Sequence, residues 1–398
     1  MAPALDILWP LVLTFGGLIG IYIAFLLLLT IRTVQDHVIF VHRVTRTWGQ
    51  DVNVPEQWGF LRNQVTPFQL QTPDGETLHV WHVLPLEPYR RHQAQLREEP
   101  TGLCSDIQQR TSFRLLKEDP TVQVVIYLHG AAGTLASGLR PESYRALSAT
   151  ATNVHVLAVD YRGFGESSGW PSEAGVLTDA LEVFRFTTET AGISAERIVA
   201  FGQSMGTAVA ISLAHHLAMQ SPPVLLAGVV LVAPFVDVES LTRTYKVANT
   251  LPLLSPLAVC PPVMALLNRF IVTKFPSKEL LPALIRRLEA TKMSGQKKRK
   301  YDISLIHAMD DIDIPFSHSD VLFWLAVNAI LEPNAAKTFE ELENIKAEEK
   351  TPLGAGGWEM EWKGEGGVVR EQIAQHGFHD RIMSYPVVSL AISKAFSA

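Results

Sequence analysis

The sequence predicts an α/β fold: a mostly parallel central sheet covered by helices on both faces. Three observations carry this reading. Residues 122–128, 154–159, 198–201 and 225–233 are apolar but for Gln123 and His155, the pattern of strands buried on both faces. Helical stretches alternate with them, among them 172–192 and 207–218, as parallel pairing demands of its crossovers. At residues 202–206 a strand runs into a helix with no linker.

That junction reads Gly202-Gln203-Ser204-Met205-Gly206, a G-x-S-x-G elbow. A strand turning directly into a helix strains the residue at the turn, and its neighbours two places away must lack side chains. Ser204 then projects beside the first free N–H groups of the helix. Helix capping by Ser204 is the competing reading.

The rest is taken in order. The chain has 398 residues and a net charge of −6, which suits one α/β domain with insertions and argues against nucleic-acid binding. Two cysteines, Cys104 and Cys260, are too few for a disulfide framework and read as free thiols. After a short tail (1–6), residues 7–31 carry no charge between Asp6 and Arg32. At 1.5 Å per residue such a helix exceeds the roughly 30 Å hydrocarbon core, so it reads as a transmembrane anchor. A juxtamembrane segment (32–64) with Trp48 and Trp58 follows, then a catalytic domain over 65–398. Strands are expected at 65–71 and 78–84 around the turn Thr72-Pro73-Asp74-Gly75. Residues 87–120 read as a solvated excursion, and 235–301 as a cap insertion. The cap includes an apolar part (251–275), an amphipathic helix (278–292) and the basic run Lys297-Lys298-Arg299-Lys300. Strands at 303–306 and 368–373 complete the sheet, and 332–366, acidic and then glycine-rich, is expected to be a mobile insertion.

With Ser204 as nucleophile, chain order asks for an acid and then a histidine. Asp311 lies five places past the strand at 303–306 and is favoured over Asp310 and Asp313. His379, just past the last strand, is favoured over His376 as the base. The oxyanion donors are expected at the N–H groups of Met205 and Ala131, with Gly130 and Gly133 letting that loop approach closely. No metal or cofactor is called for by this chemistry.

Together His129-Gly130-Ala131-Ala132-Gly133-Thr134, Asp160-Tyr161-Arg162-Gly163-Phe164-Gly165-Glu166-Ser167, Gly202-Gln203-Ser204-Met205-Gly206-Thr207 and His307-Ala308-Met309-Asp310-Asp311 resemble the α/β-hydrolase domain-containing protein 12 lipases. The resemblance implies an α/β-hydrolase fold with nucleophile Ser204, acid Asp311 and base His379. It also implies a lipid ester substrate, monoacylglycerol or lysophosphatidylserine, and an endoplasmic reticulum membrane address through residues 7–31. Sidedness stays open: the resemblance implies a luminal domain, whereas Arg32, Arg43 and Arg46 after the span favour a cytosolic one.

Overall fold

The structure, a computed structural model, describes residues 3–45, 47–150, 153–244, 261–290 and 300–397. Cys260, the first part of the apolar run (251–260), Arg46 and Lys297-Lys298-Arg299 lie outside them.

Ten strands form one sheet: β1 (Val65–Gln71), β2 (Thr77–Val83), β3 (Gln123–Leu128), β4 (Val154–Val159), β5 (Ile198–Gln203), β6 (Gly228–Val232), β7 (Tyr301–Ala308), β8 (Thr351–Gly354), β9 (Gly357–Lys363) and β10 (Gly367–Ala374). Their order is β1-β2-β4-β3-β5-β6-β7-β10-β9-β8. From β4 to β10 every pairing is parallel, and both margins are antiparallel. The apolar runs of the sequence occupy the parallel centre, where β4, β5 and β6 are buried at every residue. Two apolar clusters, one on each face, make the core.

Four expectations need correction. The excursion at 87–120 is built rather than loose. Helices Leu86–Arg91, Gln93–Glu98 and Thr111–Glu118 bury Tyr89, Leu96, Phe113 and Leu116. Each is too short for its period to show in the sequence. Residues 332–366 hold the helix Phe339–Glu349 and the hairpin β8–β9, not a mobile insertion. A buried charge ties them down: Lys346 Nζ lies 2.6 Å from Asp320 and 2.8 Å from Glu371. The amphipathic helix of the cap region, Ser277–Ala290, packs against Met205–Ala218 and Ser317–Ile330 as part of the helical layer. Finally, the N-terminal helix Pro3–Leu28 ends short of the expected limit, and Arg32–Phe40 leaves it at 92°. Among the described residues no single helix is long and apolar enough to cross a membrane, although the bent pair passes that test together.

Candidate active site

The elbow forms where β5 hands over to the helix Met205–Ala218. Ser204 sits there at φ 52°, ψ −122°, a strained conformation for a residue with a side chain. Crowding explains the flanking glycines. A Cβ on Gly202 would meet the Gly206 carbonyl oxygen at 2.3 Å, and one on Gly206 would meet the Leu128 carbonyl at 1.9 Å. A Cβ on Gly130 would lie 3.1 Å from the Ser204 Cβ, so the loop after β3 presses directly against the serine. The Met205 amide opens the helix, where no carbonyl of the same helix can reach it.

The loops after β7 and β10 meet because those strands are parallel neighbours. His379 Nδ1 lies 2.8 Å from Asp311 Oδ2. Asp311 is buried, and its Oδ1 accepts the amides of Asp313 and Ile314 at 2.9 Å each. Burial would raise its pKa, but the hydrogen bonds from His307 and His379 outweigh it and hold the carboxyl well below its usual range. For His379 burial pulls the pKa down, yet Asp311, aided by Asp380 and Asp313, raises it by more, and the imidazole ends above its ordinary value.

Neighbouring candidates do other work. Asp310 Oδ1 accepts the Phe378 amide at 2.8 Å and so pins the loop that carries His379. His376 faces Asp310, with Nδ1 3.4 Å from Oδ2, and its side chain is 71% exposed. Asp313, raised by burial, borders the same cavity as His379. Asp311, Asp313 and His379 are also the one group of donors close enough to meet a cation among the described residues. The first and last of these are already joined to each other.

Ser204, Gly130, Ala131, Gly133, Met205 and His379 border one cavity of about 630 Å³. Its far wall was not legible in the sequence. Phe25 of the N-terminal helix, Leu29 just past its end, then Val38, Val41, Val44 and Trp48 face it. Gln35 secures that wall: its side-chain amide donates to the carbonyls of Leu29 and Phe270 and accepts from Val272 N–H. Gln203 was also missed. It accepts the Gly130 amide at 3.1 Å and donates to Asp380 at 3.1 Å, linking the loops on either side of Ser204. The Asp160–Ser167 motif is a support: Tyr161 donates to the His129 carbonyl, and Arg162 pairs with buried Asp179 at 2.8 Å.

Comparison with known proteins agrees with this architecture. An α/β hydrolase from Vibrio vulnificus superposes with a TM-score of 0.53 at 16% identity, over 91% of each chain. The chain is an α/β-hydrolase by fold. The family described as serine aminopeptidase, S33 matches over residues 119–301. In sequence the chain is similar to lysophosphatidylserine lipase ABHD12 of Danio rerio, 29% identical over 240 residues, or 60% of this chain and 57% of the relative. It is 32% identical to ABHD12 of Gallus gallus over 57% of this chain and 54% of the relative. Human protein ABHD12B is 32% identical over 52% and 50%. The chain thus spans about half the length of the curated relatives it matches.

Proposed function

We propose that this α/β-hydrolase is a serine hydrolase that cleaves carboxylic esters of single-chain lipids, with Ser204, His379 and Asp311 as its triad. The observation that carries the reading is the shared cavity, where the strained serine and the Asp311-held imidazole face a wall of Phe25, Leu29, Val38 and Val44. Ser204 Oγ attacks the ester carbonyl carbon while its proton passes to His379. The negative oxygen of the tetrahedral intermediate is held by the N–H groups of Met205 and Ala131. As the carbonyl re-forms, the bond to the leaving oxygen breaks, and His379 returns the proton to the departing alcohol. Water then attacks the acyl-serine with His379 again taking a proton. A fatty acid leaves and the Ser204 hydroxyl is restored. Asp311 keeps the imidazole in its tautomer and offsets its transient charge.

The apolar wall speaks for an acyl chain. A long chain buries about 0.8 kcal/mol per methylene, which also keeps such lipids in bilayers. We place the chain at the reticulum membrane, held through the N-terminal helix and the bent segment after it. The ABHD12 names support a lysophospholipid or related monoacyl substrate, whereas the aminopeptidase description of the matched family supports amide cleavage. Product analysis of lipid extracts incubated with wild type and Ser204→Ala, alongside turnover of matched ester and amide substrates, separates them. Fatty acid release dependent on Ser204, with esters preferred, is the expected result. Preferred amide turnover would overturn it, as would release that survives Ser204→Ala.

A further inference from the structure

One buried cation organises the loop that follows β3. Arg140 opens the helix Arg140–Thr150 and is almost wholly buried. Its Nη2 stands 3.1 Å from the Gly130 carbonyl oxygen, 3.1 Å from that of Ala131 and 2.9 Å from that of Ala132. Nη1 donates to the Thr134 carbonyl. Among the described residues no carboxylate forms an ion pair with Arg140. A buried guanidinium without an acidic partner must be compensated by dipoles. Here the carbonyls of the loop serve, and the planar fork of donors suits several at once.

The amides of the same loop are also assigned. Gly130 N–H donates to Gln203 Oε1 at 3.1 Å, and Thr134 N–H to Ser137 Oγ at 2.8 Å. Those of Ala132 and Gly133 reach the carbonyls of Phe40 and Val44 at 2.9 and 2.7 Å. Ala132 and Gly133 both have positive φ, 61° and 71°, so the loop takes a shape that needs outside support. Within it the Ala131 amide alone has no acceptor among the described residues, and Ala131 borders the cavity beside Ser204.

We infer that Arg140 is the positioning residue of the oxyanion hole: by collecting four carbonyls of the loop it fixes the peptide planes that leave the Ala131 N–H unpaired on the cavity wall. The inference rests on the serine-hydrolase reading above. Arg140 itself borders the same cavity, and its charge also favours a negative oxygen there.

The test uses the full-length protein and a short, neutral, water-soluble ester. Arg140→Lys and Arg140→Ala, each checked by thermal unfolding, are compared with wild type and Ser204→Ala. The expected result is a kcat lower by about a hundredfold in Arg140→Ala, with KM nearly unchanged, the size of loss seen when one oxyanion donor is removed. Inactivation by a fluorophosphonate should slow in parallel, and added guanidinium ion should restore part of the rate. Arg140→Lys, a point charge that cannot reach all four carbonyls, should fall between and carries the test if Arg140→Ala does not fold. Folded Arg140 variants with wild-type kcat would overturn the inference. So would variants that raise KM only for a lysophospholipid with a charged head group, since Arg140 would then contact substrate. Turnover that survives Ser204→Ala would instead remove the underlying reading.

Discussion

Asp311 Oδ2 faces two imidazoles at once: His379 Nδ1 at 2.8 Å and His307 Nε2 at 3.1 Å. His379 borders the cavity, whereas His307 is fully buried with its Nδ1 2.7 Å from Ser319 Oγ. The pair predicts a pH profile. A general base works only when unprotonated, and Asp311 raises the His379 pKa above its ordinary value. The acid limb of kcat/KM should therefore lie above pH 6.5, the value of a free imidazole. Asp311→Asn removes the main cause of the rise, so the limb should move to lower pH while kcat falls by about ten-thousandfold. A wild-type limb at or below the free-imidazole value would contradict the assignment.

The two histidines of the last loop should differ sharply. His379→Ala is expected to match Ser204→Ala, on the order of a millionfold loss, because triad members act as a unit. His376, 71% exposed and paired among the described residues with Asp310, should tolerate Ala with turnover changed less than about twofold. Steady-state rates of the two variants decide this, and the reverse ranking would transfer the role of base to His376.

Strands buried on both faces and the elbow are legible in the sequence because each obeys a local rule: predominant apolarity for β4 to β6, and glycines two places from Ser204. Asp311 and His379 follow from chain order once Ser204 is chosen. What stays hidden is carried by contacts distant in sequence. Nothing around Arg140 says that its guanidinium meets the carbonyls of residues 130–134, because a lone arginine at a helix start usually points to solvent. Gln35 reads as an ordinary polar residue until Phe270 and Val272 close on it. Lys346 sits in a run of acidic residues that suggests a solvated tail, yet it is buried.

That lysine gives a stability prediction. Glu371 is fully buried, and burial pushes its pKa up to about 8 despite Lys346 beside it. Lys346→Met leaves Glu371 and Asp320 without their cation, and breaking such a pair costs about 3–5 kcal/mol. Thermal unfolding should show a clear drop in Tm, and limited proteolysis should cut first within residues 332–366. Pairing Lys346→Met with Glu371→Gln should recover much of the loss. An unchanged Tm in the single variant would show that the network is not holding the segment.

The cavity wall predicts chain-length selectivity. Trp48 is 87% exposed yet borders the cavity that holds Ser204, which places it at the mouth. Trp48→Ala should raise KM for a long-chain monoacyl ester in vesicles far more than for a short soluble ester. Equal effects on both would mean that the chain takes another route.

Sidedness follows from the same N-terminal segment. Residues 7–31 as an anchor with a luminal domain would protect the C-terminus from protease in sealed microsomes. Digestion of the C-terminus in intact vesicles would give the cytosolic arrangement that Arg32 and Arg43 favour.

The most direct test of the account is the site of covalent labelling by a fluorophosphonate, read by peptide mass spectrometry on the full-length protein. The predicted result is one adduct, on the peptide containing Ser204, absent in Ser204→Ala and strongly slowed in His379→Ala. A folded wild-type protein that takes no label, or takes it on another serine, would contradict the account.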